Sequence, residues 1–91
     1  MSRLDDADVA QALRQTPGWG RAGSEIRRTY RFKDFREALA FVNRVGHLAE
    51  RTGHHPDIDI RYNAVTLALS THDAGGLSAK DFELARAIDR G

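Results

Sequence analysis

The sequence predicts an α+β fold of two layers, a four-stranded antiparallel sheet covered on one face by helices, in the order α-β-β-α-β-β-α. Three observations carry that expectation. Apolar residues recur at helical spacing in segments at the start, middle and end of the chain. Between these lie two pairs of segments in which apolar and polar residues alternate with a period of two. Each pair is joined by a turn too short for a crossover, so its strands run antiparallel. With 91 residues, the chain is expected to form one domain over 1–91. A chain of this length buries only about 64% of its unfolded surface. A core that thin favours a second surface that pairs with copies of the same chain.

The first helix is expected over residues 4–14. Asp5, Asp6 and Asp8 at its start and Arg14 at its end follow the charge order that a helix dipole favours. Leu4, Val9, Ala12 and Leu13 supply a short apolar stripe. Pro17-Gly18 stops it, and Trp19, the only tryptophan, is expected to pack beneath it. Residues 19–22 and 25–32 then read as a hairpin turned by Gly23-Ser24. Ile26, Arg28, Tyr30 and Phe32 share one face of it, and Glu25, Arg27, Thr29 and Arg31 the other. The small basic group of Arg27, Arg28 and Arg31 reads as a solvated strand surface.

The longest helix begins at Asp34, which has capping-box spacing to Glu37, with Asp in the usual Ser/Thr place. Its stripe is expected to be Phe35, Ala38, Leu39, Val42, Val45, Gly46 and Ala49. Phe41 and Leu48 fall off that stripe and widen the apolar band, enough to touch both a sheet and another subunit. Asn43, His47 and Glu50 lie on a more polar side, where His47 reads as facing solvent. Gly53 ends the helix and Pro56 keeps it from resuming. Ile58, Ile60 and Tyr62 alternate with Asp57, Asp59 and Arg61 as a third strand, Asn63-Ala64 turns the chain, and Val65, Leu67 and Leu69 mark a fourth. After a loop at Gly75-Gly76, residues 78–90 read as a last helix with Phe82, Ala85 and Ile88 buried. Ser78 and Asp81 again have capping spacing.

Composition excludes several functions. Fourteen Lys+Arg against 13 Asp+Glu leave a net charge of +1, which offers no broad basic field for a nucleic acid. No run approaches the ~18 apolar residues of a membrane span. Cysteine is absent, which removes disulfides, thiolate metal sites and cysteine nucleophiles. The first ten residues are acidic and polar, without a secretory apolar stretch, so a cytoplasmic location is expected.

Histidine is the informative residue type. His54 and His55 occupy the link into the third strand, and His72 is expected at the end of the fourth. A hairpin of those strands brings all three into one cleft. Imidazole gives and takes protons near neutrality, and elimination of water needs both operations. Glu50 and Asp81 could orient a histidine. Because His55 precedes Pro56, its backbone is extended, and the two adjacent rings should diverge. Other readings remain open. Three histidines can hold zinc, although a direct His-His pair is not the common metal spacing. Loop histidines can simply bond backbone, and Ser78 with Asp81 is explained by helix capping alone.

Glu50, three residues, His54-His55-Pro56, five residues, Tyr62, nine residues, His72, eight residues and Asp81 resemble the signature of the pterin-4a-carbinolamine dehydratases. Trp19 after a short helix, Phe32 to Phe35 entering the long helix, Gly75-Gly76-Leu77, and Leu84-Ala85 with Ile88-Asp89 fit the same pattern. The resemblance implies dehydration of a 4a-hydroxytetrahydropterin, formed by aromatic amino acid hydroxylases, to the quinonoid dihydropterin, with no metal and no organic cofactor. It implies His54, His55 and His72 as active-site histidines and Asp81 in the same site. Glu50 and Pro56 are expected to touch substrate or support those histidines. It also implies a homodimer or homotetramer, and, as an alternative to catalysis, a dimerisation module like the transcriptional coactivators of this family in animals.

Overall fold

Each helix begins where a carboxylate can receive an N–H group that the first turn leaves open. In the computed structural model, which describes residues 2–91, Asp5 accepts the Asp8 N–H at 2.8 Å and starts α1 (Asp6–Arg14). Leu4 lies outside that helix, its N–H bonded to the Leu77 carbonyl at 2.8 Å. Asp34 accepts the Glu37 N–H at 2.9 Å at the start of α2 (Phe35–Thr52), while the Glu37 side chain accepts from the Lys33 N–H at 3.1 Å. The Ser78 N–H donates to Asp81 at 2.9 Å ahead of α3 (Ala79–Arg90).

The strands are β1 (Gly20–Ala22), β2 (Glu25–Arg31), β3 (Asp57–Arg61) and β4 (Ala64–Leu69), in one antiparallel sheet of order β1-β2-β4-β3. The element order is the α-β-β-α-β-β-α expected of an α+β fold. β2 and β4 form the centre of the sheet, paired from Ile26↔Leu69 to Arg31↔Ala64. Gly23 takes a left-handed φ of 61° in the first hairpin loop, where L side chains are disfavoured. Ile26, Val65, Leu67 and Leu69 are fully buried and join Val45, Phe82, Ala85 and Ile88 from the helices in a single core. Trp19 belongs to it.

Besides the placement of Leu4, four expectations need correction. The buried arc of α2 is centred on Ala38, Phe41, Val45 and Ala49, so Phe41 is core, and Phe35 and Leu39 stand at the surface. Phe41 is held there by Tyr30 at 4.6 Å and Phe32 at 5.1 Å between ring centroids. Arg28 leaves the solvated group: it points to the helix side, lies 4.6 Å over the Tyr30 ring and reaches Asp89 at 3.1 Å. The second hairpin turns at Tyr62-Asn63, one residue early, because Arg61 pairs with Ala64. Tyr62 takes a φ of 50°, uncommon for an aromatic residue. Finally, β4 ends at Leu69, and His72 opens a single 3-10 turn beyond it.

Asp89 near the end of α3 ties the first hairpin to that helix. It accepts from the Trp19 indole at 2.8 Å, from Arg28 and from the Tyr30 hydroxyl. Burial first, then the hydrogen bond to Asp89 and its negative charge, push the Tyr30 phenol above its ordinary value of 10. The folded chain therefore keeps this proton to higher pH than the unfolded chain. The resulting stabilisation is whole below about pH 10 and is lost as pH climbs beyond it. Urea melts at about pH 9 and 11 are expected to show a drop in stability that Tyr30→Phe lessens. An equal drop in the variant would show that the phenol is not its source.

Candidate active site

The α2 helix ends at Gly53, whose φ of 69° reverses the chain. Only glycine adopts that conformation readily. The His54 N–H then bonds the Ala49 carbonyl at 3.2 Å, and the reversal carries the His54 ring to the first turn of α3. There its Nε2 lies 2.6 Å from Asp81 Oδ1. His54 has 12% of its side chain exposed and Asp81 none.

A carboxylate has only acceptors, so His54 donates its Nε2–H. That leaves Nδ1 as the ring nitrogen available to a ligand, held in place by a buried partner. The other carboxylate oxygen of Asp81, Oδ2, is occupied as well. It accepts from the Ser78 N–H and from the Thr71 hydroxyl, each at 2.9 Å.

His55 turns the other way. Its Nε2 pairs with Glu50, and both side chains are open to solvent, at 59% and 79% exposure. An exposed pair of this kind is screened and weakly held. Pro56 follows and leads directly into β3. The divergence of the two adjacent rings is the one expected from the extended backbone before proline. Among the described residues, neither ring bonds a backbone carbonyl.

His72 comes from the link between β4 and α3 and is exposed. It lines one shallow hollow of about 260 Å³ together with His54 and His55, and with Thr71, Asp73 and Lys80. Asp81 lies beneath this hollow, fully buried. Glu50 reaches the hollow through His55, and Pro56 is not part of its lining. Larger clefts, of about 760 Å³ between α2 and α3 and about 530 Å³ beside the N-terminal segment, hold one histidine between them, His47. Among the described residues, no three His, Asp or Glu side chains converge closely enough to share one metal ion.

The arrangement can accept a proton at an oriented imidazole nitrogen and donate one from a neighbouring ring. Sequence reasoning missed Thr71, Lys80 and Asp73, which carry no motif of their own. Ser78 was visible only as a helix cap.

Comparison with known proteins bears on this geometry. The pattern described as pterin 4 alpha carbinolamine dehydratase matches residues 2–91. A protein of Thermomicrobium roseum named "Putative pterin-4-alpha-carbinolamine dehydratase" is 59% identical over 88 residues, covering 97% of this chain and 95% of its own. One of the same name from Chloroflexus aurantiacus is 60% identical over 89 residues, covering 98% and 96%. A crystal structure of a transcriptional coactivator/pterin dehydratase from Brucella melitensis superposes with a TM-score of 0.93 at 33% identity, over 98% of this chain and 97% of that one. A pterin dehydratase-like protein described as a RuBisCO assembly factor of the alpha-carboxysome shares the fold, with a TM-score of 0.65 at 19% identity over 79% and 83% of the two chains.

Proposed function

This chain belongs to the pterin 4 alpha carbinolamine dehydratase family, and from that premise we propose that it eliminates water from a 4a-hydroxytetrahydropterin. The product is the quinonoid dihydropterin, with His54 and His72 as the acid–base groups and His55 as a contact to the substrate. The observation that carries this reading is the His54–Asp81 pair at the floor of a hollow that the other two histidines share. In the reaction, the bond from ring carbon 4a to its hydroxyl breaks as an acid protonates the leaving oxygen. A base removes the proton from the adjacent ring nitrogen, and the electron pair left behind forms the carbon–nitrogen double bond.

His54 suits the demanding half of that exchange, because a buried carboxylate fixes its ring and leaves Nδ1 available. His72, on the separate link, supplies the complementary proton transfer. His55, tied to Glu50 at the open rim, contacts the substrate ring. Since the uncatalysed elimination already proceeds, a factor of about 10² to 10⁴ from positioned acid–base groups is enough. The test is the disappearance of freshly generated 4a-hydroxypterin with and without the protein, repeated in excess chelator. Acceleration that survives chelation is the expected result. No acceleration would leave the alternative, an interaction module on the same fold, a reading favoured by the similarity to the Brucella protein named a transcriptional coactivator as well as a pterin dehydratase.

The proposed partner is a second copy of the chain, along the free edge of β3. Ile58, Ile60 and Tyr62 stand exposed there, with Phe35 and Leu39 of α2 also at the surface. In a two-residue hairpin the residues flanking the loop, Arg61 and Ala64, bond each other. Backbone groups of Ile58 and Ile60 therefore face the free edge. Antiparallel pairing centred on Ile60 sets Ile60 against Ile60, Ile58 against Tyr62 and Asp59 against Arg61. Centring on Asp59 would oppose two carboxylates, which is unfavourable. Ile60→Lys is expected to halve the mass measured by light scattering. An unchanged mass would place the contact elsewhere.

A further inference from the structure

Two hydroxyls beside the His54–Asp81 pair have no part in the reaction as written. Thr71 Oγ1 lies 2.9 Å from Asp81 Oδ2 and 2.8 Å from Ser78 Oγ, and all three residues are buried. We infer that Thr71 is a positioning residue for His54, acting through Asp81. A one-way chain of donors from Ser78 through Thr71 holds the carboxylate in the orientation that decides which nitrogen of the His54 ring keeps its proton.

The direction of the chain follows from counting hydrogens. A carboxylate only accepts, so the single Thr71 hydroxyl hydrogen is spent on Oδ2. Ser78 must then donate its own hydroxyl hydrogen to Thr71. A hydroxyl that accepts while it donates is polarised into a stronger donor. With the Ser78 N–H also on Oδ2, that oxygen is filled and Oδ1 is left for the Nε2–H of His54. The Thr71 backbone is itself pinned, its N–H to the Gly76 carbonyl at 2.9 Å and its carbonyl to the Gly76 N–H at 3.3 Å. The hydroxyl therefore stands on a rigid post, next in sequence to His72.

Helix capping does not account for this. Capping needs only the Ser78–Asp81 contact, and a valine would fill the space of Thr71 equally well. The inference rests on the dehydratase reading for its kinetic arm alone, since the state of the His54 ring is read without any substrate.

The experiment compares wild type, Thr71→Val and Thr71→Ser by long-range proton–nitrogen NMR of the histidine rings, alongside kcat and KM for 4a-hydroxypterin. In wild type, His54 is expected to show protonated, hydrogen-bonded Nε2. In Thr71→Val that signature should shift or average while those of His55 and His47 stay. kcat should fall about tenfold with KM within about twofold, and Thr71→Ser should restore both. An unchanged His54 signature in folded Thr71→Val, or a serine variant that behaves like the valine one, overturns the inference. If the valine variant does not fold, the wild type still decides. A slowly exchanging Thr71 hydroxyl proton is expected, and a rapidly averaged one overturns the donor chain. A wild type with no dehydratase activity but the expected NMR response would sink the proposed reaction and leave the linkage standing.

Discussion

Replacing His54 by alanine is expected to lower dehydratase turnover by about 10²- to 10⁴-fold, the range in which a positioned acid–base group contributes. The residue sits in a link rather than in a strand or helix, so its loss removes a ring and one hydrogen bond without opening the core. The fold should survive, and far-ultraviolet circular dichroism should match wild type. Asp81 keeps two of its three donors, Ser78 and Thr71, in the variant. His72→Ala is expected to act in the same direction, and His55→Ala to raise KM more than it lowers kcat, since its ring leans outward on an exposed carboxylate. A triple alanine variant that turned over at the wild-type rate would end the assignment of chemistry to these rings.

The second large effect is on stability. Asp81→Ala removes the acceptor from three donors at once: the Ser78 N–H, the Thr71 hydroxyl and the His54 Nε2–H. The site is fully buried, so water cannot replace the carboxylate without rearrangement. Breaking a buried network in this way costs about 3–5 kcal/mol. For a domain of this size that is a fall in melting temperature of roughly 12–40 °C. Asp81→Asn keeps one acceptor oxygen and should lose less, on the order of 0.5–2 kcal/mol, the scale of a missing helix cap. Thermal melts of the two variants side by side measure the difference. An alanine variant that melts within about 2 °C of wild type would show that the network does not hold this part of the fold.

Much of the architecture was legible because local signals agreed with one another. Asp34 and Glu37 marked the start of α2, Gly53 its end, and the alternation around Ile26 and Leu67 the two central strands. What was misread has a physical pattern. In α2 two adjoining arcs are apolar, one holding Phe35 and Leu39 and the other Phe41 and Leu48. Helical periodicity cannot say which arc meets the sheet, because the choice lies with Tyr30 and Phe32 on another element. The turn at Tyr62 was displaced because an aromatic side chain rarely accepts a positive φ. Arg28 looked like its neighbours, since the partner that draws it inward, Asp89, is 61 residues away. At the candidate site the gathering of the three histidines was readable from their places at the ends of a hairpin, and Asp81 from the family resemblance. Thr71 was not, because a threonine before a histidine is common and its meaning depends on the carboxylate that folding brings beneath it.

The central β2–β4 ladder has a further consequence. Even the rung nearest in sequence, Arg31 to Ala64, closes a long stretch of chain before any backbone bond of the ladder is gained, and the far rung joins Ile26 to Leu69. Loop closure of this length is slow compared with zipping up either hairpin. Ser70, Thr71 and His72 leave the sheet immediately past that rung. A nascent chain with both hairpins formed but unjoined would have its pieces in hand and no competent centre, so competence should arrive late and all at once, together with the cooperative step of folding.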